Sequence, residues 1–172
     1  MNAQTFATMM AVLAIVSIAG AVAVVVGRIA RIAALQLEVG GAMTAAWAIA
    51  TVATVGSLTL SEVFHFTPCE LCWYQRIAMY PLVVVLGVGA LRRDLSMRLP
   101  ALLIAGMGAA LSTWHVLVQR VPAMSNTTSC DATAPCTAIW VDVFQIFTIP
   151  TMALAGFVGI IAVVATTQRT DA

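Results

Sequence analysis

Cys69-Glu70-Leu71-Cys72 forms a CxxC pair, and Cys130 and Cys136 form a second pair separated by Asp-Ala-Thr-Ala-Pro. Paired cysteines can be oxidised, reduced and exchanged, with the thiolate as the attacking species. CxxC alone is shared by redox centres, structural disulfides and zinc sites. Here it runs directly into Trp73-Tyr74-Gln75-Arg76 and an apolar stretch. Pro68 suits the first turn of a helix, where its missing N–H is not needed. Cys69, Cys72 and Arg76 then fall at i, i+3 and i+7 on one face. A thiolate at Cys72 is expected to be favoured by the helix N-terminus and by Arg76 one turn below. The two pairs together read as a two-disulfide electron relay.

Cys130 and Cys136 lie in a turn-prone loop rich in Ser, Thr and Asn. An exposed disulfide there would exchange readily with an incoming thiolate; taken alone, the pair reads equally well as a static loop staple. Electrons collected by the cysteines need an exit, and the chain has no nucleotide fingerprint, haem-attachment CxxCH or evident flavin site. A lipid-soluble quinone, menaquinone or ubiquinone, is the economical acceptor. It would approach Cys72 from the membrane, where Arg76 would stabilise an oxygen gaining negative charge. His115 could supply a proton or a second polar contact. Glu62 and His65 are expected to be interfacial and structural.

Elements that position these residues follow from composition. With 62% hydrophobic and 9% charged residues and a mean hydropathy of +1.01, the 172-residue chain is an integral membrane protein. It has no lysine and its eight arginines are dispersed, so nucleic-acid binding is unsupported. Five stretches, 6–27, 42–60, 77–91, 100–118 and 147–166, approach the roughly 20 residues that cross a bilayer core. The third is long enough only if it starts near Cys69 or Cys72. An all-α fold is expected: a four-helix bundle over residues 42–172, preceded by an accessory helix and cytoplasmic linker over 1–41.

Arg28 and Arg31 follow the first span, Arg92, Arg93 and Arg98 join the third and fourth, and Arg169 follows the fifth. Positive charge marks these regions as cytoplasmic. The N-terminus and all four cysteines then face outward, where disulfides persist. Met1 to Met10 carries no positive charge, so the first span reads as a retained helix with an outward N-terminus. Gly87, Gly89, Gly106, Gly108, Gly156 and Gly159 sit mid-span, where small side chains let helices approach. Trp47, Trp114, Trp140, Tyr74 and Tyr80 suit interfacial belts. The run from Ile139 to Phe147 carries apolar residues at helical spacing, and a short helix on the membrane surface is expected there.

The segment Pro68-Cys69-Glu70-Leu71-Cys72-Trp73-Tyr74-Gln75-Arg76-Ile77-Ala78-Met79-Tyr80-Pro81-Leu82 resembles the DsbB family of membrane thiol oxidases, particularly its BdbC-type branch. Ser61-Glu62, His115, the Cys130/Cys136 loop and Thr148-Ile149-Pro150-Thr151 extend the likeness over residues 42–166. The resemblance implies that a thioredoxin-like, DsbA-type extracytoplasmic protein attacks the loop disulfide at Cys130. Cys69–Cys72 then reoxidises the loop pair, and Cys72 passes electrons to a membrane quinone beside Arg76 and His115. A monomer in the cell membrane, supporting disulfide bond formation and needing no metal, is expected. A vitamin K epoxide reductase-like enzyme is a rival, but its loop pair precedes its CxxC. A membrane scaffold binding zinc through four cysteines is another rival; a transporter lacks support, since no acidic residue lies at mid-depth.

Overall fold

A computed structural model describes residues 2–32, 38–121, 123–124, 130 and 134–167. Lipid offers the main chain no hydrogen-bond partner, so each apolar stretch closes its bonds internally as a helix. Among the described residues five helices result, each long and apolar enough to cross a membrane: α1 Ala3–Ile29, α2 Val39–Glu62, α3 Glu70–Arg92, α4 Arg98–Arg120 and α5 Ile149–Thr166. A 3₁₀ turn, Leu95–Met97, leads into α4. Threonine hydroxyls within the helices bond back to the carbonyl four residues earlier, as Thr44, Thr51, Thr59 and Thr113 do. Polar side chains are thereby tolerated facing apolar surroundings.

Helices α2 to α5 close a four-helix bundle, each packed on its sequence neighbour and α5 returning onto α2. Its core includes Met43 and Ala46 of α2, Leu82 and Leu86 of α3, Ala105 of α4, and Phe157 and Ile160 of α5. Gly108 admits the Phe157 ring, which would collide with any Cβ there. Gly106, by contrast, has nothing within 4 Å of a Cβ position, so it is not a packing glycine. Helix α1 packs mainly on α5 and buries Ala7, Ala11, Ala14 and Ala21.

The third span begins where a membrane crossing requires, with Cys69 as the N-cap of α3. Pro68 lies one residue outside that cap, not within the first turn. The fifth helix starts at Ile149, two residues later than expected, because Thr148 and Thr151 form a reciprocal capping box with Pro150 in the first turn.

The expected helix over residues 139–147 is absent. Val141 and Val143 point inward against Ala7 and Ala11 of α1, while Asp142 and Phe144 point out. That is the two-residue alternation of extended chain, which β-branched valines favour. Phe144 and Gln145 then adopt left-handed conformations, with φ of 56° and 58°, and Val143 pairs back with Phe147. Arg120, at the end of α4, donates to the carbonyls of Gln145 and Ile146 at 3.2 and 3.0 Å and holds this turn in place.

Polar and charged groups sort to two ends. At one end Arg98 donates to the Ala165 carbonyl and Arg93 lies over Gly40; Arg28 stands in the last turn of α1 and Arg92 in that of α3. At the other end the rings of Phe6 and Phe64 are 5.4 Å apart, Phe66 stacks on Trp140, and the cysteines gather. Arg169 lies outside the described residues.

Candidate functional site

The N-cap of α3 is a sulfur. Cys69 has extended backbone angles, and its Sγ accepts the Cys72 N–H at 3.4 Å, taking the part usually played by a Ser or Asp oxygen. One helical turn brings the two sulfurs to 2.7 Å; they are close but unbonded, whereas Cys130 and Cys136 are joined as a disulfide. Cys69, Cys72, Cys130 and Cys136 share a single cluster with Leu71, Val118 and Ala134. The two pairs, 58 or more residues apart in sequence, are therefore gathered in one place. Cys136 is buried and Cys130 half-buried, so Cys130 is the more accessible sulfur of the loop pair.

His115 joins the pairs. Its Nε2 lies 3.1 Å from the Cys136 carbonyl and 3.7 Å from Cys69 Sγ, while Nδ1 lies 3.0 Å from the Gln75 side-chain nitrogen. A carbonyl only accepts, so Nε2 carries the hydrogen and Nδ1 accepts from the Gln75 amide. The ring is almost wholly buried, and its tautomer follows from these two partners. Gln119 adds a second tie from α4 to the loop, donating to the Ala138 carbonyl at 3.0 Å.

The sequence places Cys69, Cys72 and Arg76 on one helical face, but the fold divides their work. Cys69 turns toward His115 and Cys136. Cys72 and Arg76 instead line an apolar cavity of about 320 Å³. Arg76 is buried, donating through Nε and one Nη to the Ser57 hydroxyl and carbonyl, both at 2.9 Å, and its guanidinium lies 5.3 Å from the Trp73 ring centroid. Its other Nη has no hydrogen bond among the described residues. The hydroxyls of Tyr80 and Ser17, side chains of two further cavity residues, are buried without a hydrogen-bond partner among the described residues. Tyr80 is thus a cavity residue and not an interfacial one.

The contacts that stabilise a thiolate converge on Cys69 and not, as expected, on Cys72. The Cys69 thiol is lowered from its ordinary value of 9.0 to about 4, chiefly by the hydrogen bond from the Cys72 thiol. Burial opposes this shift, while His115 and the Cys72 amide reinforce it.

Among the described residues Cys69, Cys72 and His115 offer three ligating atoms within 4.8 Å of one another. The disulfide withholds Cys130 and Cys136 from a four-thiolate set. Glu62 and His65 are exposed and are not members of this cluster, and Glu62 accepts from Ser61. Gln75, Ser57, Gln119 and Arg120 were not among the residues assigned site roles on sequence. Gln75 and Arg76 are adjacent polar residues at the mouth of an apolar span, a signal for inward-facing partners; nothing local marks Ser57.

These features define a class: multi-pass helical membrane proteins that hold one cysteine pair against another for thiol–disulfide exchange. The family model described as "Disulfide bond formation protein DsbB" matches residues 40–167. Among curated relatives, a "Probable disulfide formation protein" of Oceanobacillus iheyensis is 46% identical over 112 residues, covering 64% of this chain and 77% of the relative. "Disulfide bond formation protein C" of Bacillus subtilis (strain 168) is 44% identical over 117 residues, covering 68% and 85%. The chain belongs to the DsbB family. No solved structure matches it.

Proposed function

We propose that this protein is a membrane thiol:quinone oxidoreductase that reoxidises a DsbA-like, thioredoxin-fold protein outside the cytoplasm. The observation that carries this reading is the division of the CxxC pair: Cys69 adjoins the loop disulfide, while Cys72 lines an apolar cavity. Lipid-exposed Leu13, Val16 and Val52 are part of that cavity's wall, so it is reachable from within the bilayer. Arginines at the opposite end of the bundle support an extracytoplasmic cysteine end in the cell membrane.

In the proposed cycle a partner thiolate attacks Cys130 and expels Cys136 as a thiolate. The partner's second thiol resolves the mixed disulfide, leaving an oxidised partner and two reduced loop cysteines. Cys136 then attacks Cys69 of an oxidised Cys69–Cys72 bond, expelling Cys72, and Cys130 attacks Cys136 to restore the loop disulfide. Cys69 and Cys72 remain as dithiol, holding two electrons and two protons. His115, between Cys69 and Cys136, orients the exchanging sulfurs, and the contacts on Cys69 stabilise it as a leaving thiolate.

A quinone accepts two electrons and two protons as the dithiol returns to a disulfide. The cavity suits such an acceptor: its wall is largely apolar, and beside Cys72 it holds Arg76, whose remaining Nη is a donor for a ring carbonyl. Anaerobic mixing of purified protein, reduced partner and quinone tests the reading through quinone absorbance. Cys72→Ser should abolish quinone reduction, and a partner lacking its second thiol should attack the intact Cys130–Cys136 disulfide and stay trapped on Cys130. Normal turnover by the Cys72 variant would reject the relay.

The grouping of Cys69, Cys72 and His115 keeps a zinc-binding reading in view. It requires stoichiometric zinc in purified protein and free thiols that quinone does not remove. The redox reading requires thiols that disappear when quinone is added.

A further inference from the structure

Helix α1 lies outside the segment that matches the DsbB family, which starts at residue 40. It nonetheless supplies Met10, Leu13, Ala14, Val16 and Ser17 to the wall of the cavity that Cys72 and Arg76 line. It is seated closely there. A Cβ on Gly56 of α2 would lie 2.7 Å from Met10 Sδ, and one on Gly159 of α5 would collide with Ser17 Oγ. The turn at Val141 and Val143 clamps its outer end.

The cavity is also longer than the chemistry at Cys72 requires. Its α2 wall runs from Ala48 to Leu60, about 18 Å at 1.5 Å per residue, and so reaches from the cysteine end toward mid-membrane. Cys72 and Arg76 stand at the outer part of this length; the inner part is walled by side chains from α1, α2 and α5 that are apolar apart from Ser17. An occupant matching both parts has a polar, reducible ring and a long hydrocarbon chain.

We infer that α1 is a specificity element, forming one wall of the channel that holds the isoprenoid tail of the quinone. This rests on the proposed quinone-linked activity and assigns α1 a part in it. The tail lies against Leu13 and Ala14, and the ring is thereby aligned at Cys72 and Arg76.

The test is performed on the full chain with a polyprenyl menaquinone and with menadione, which has the same ring without the tail. The wild type should show the lower apparent KM for the tailed quinone. Ala14→Phe, which fills the channel from α1, should raise the ratio of tailed to tail-less KM about tenfold. Leu13 is 43% exposed and sits at the rim, so Leu13→Ala provides a variant with little packing to lose; it should raise the ratio about threefold. Ratios within about twofold of wild type in the folded variants would overturn the role of α1 while leaving the quinone reaction standing. If the wild type reduces neither quinone, the proposed activity fails and the inference falls with it.

Discussion

The Nε2 of His115 stands 3.1 Å from the main-chain carbonyl of Cys136, so an α4 side chain moors the loop disulfide. The same nitrogen is 3.7 Å from Cys69, and a single imidazole therefore sets the approach of one cysteine pair to the other. Removing it should misplace the reacting sulfurs without touching the surface offered to a protein partner.

His115→Ala is expected to slow exchange between the loop pair and the CxxC pair about 100-fold, since small misplacements of reacting atoms have effects of that order. Stopped-flow measurement of single-turnover electron transfer would check this. The partner's apparent KM should stay within about twofold; a rise in KM with unchanged transfer rate would assign His115 to partner binding instead.

The lowered Cys69 value predicts that the reduced protein carries a thiolate across the range between about pH 4 and 9, where an ordinary cysteine is protonated. Because the folded value is depressed, the associated stability is fully present above the unfolded value of 9.0 and is lost as pH falls toward about 4. Ultraviolet thiolate absorbance during acid titration should show a midpoint far below 9, moved upward in His115→Ala. A midpoint near 9 in the wild type would contradict the assignment.

Arg76 is held by two bonds to Ser57, a fork that a lysine cannot reproduce. Arg76→Ala should raise the apparent KM for quinone about tenfold or more while changing that for the protein substrate little. Arg76→Lys should recover only part of the loss, and Ser57→Ala should shift quinone KM in the same direction by less. Equal effects on both substrates would remove Arg76 from the quinone site.

Gly108 accommodates the ring of Phe157 at the centre of the α4–α5 seam. Gly108→Val should destabilise the bundle by about 1–3 kcal/mol through overpacking, measured as a lower unfolding midpoint in detergent. Gly106→Ala, two residues away and facing open space, should leave the midpoint nearly unchanged.

Much of the site was legible because cysteine chemistry and membrane burial leave local marks. Cys69, Cys72 and Arg76 declare themselves by spacing at the start of an apolar span, and His115 by being a lone imidazole in an apolar helix. Gln75, Ser57 and Arg120 carry no such mark. Their roles depend on which atoms approach from other helices: the Gln75 amide matters because it meets His115, and Ser57 because it receives Arg76. The 139–147 segment misled because its apolar residues satisfy a helical period. Docking of Val141 and Val143 on α1, with Arg120 capturing the turn carbonyls, selects the extended form instead.

By itself the amino-acid order determined a five-span helical membrane protein with most of its arginines toward one end and its cysteines at the other. Long uncharged apolar runs must satisfy their main-chain groups within helices, and charges must leave the hydrocarbon region. Tertiary structure decided which sulfur faces which neighbour: Cys69 toward His115 and the loop pair, Cys72 toward the cavity. It also decided where α1 sits, since a helix that is apolar nearly all round carries no pattern to say which face meets protein and which meets lipid. Contact with α5, with Gly56 of α2 and with the turn at Val141 breaks that symmetry, because close packing selects small side chains where the helices meet.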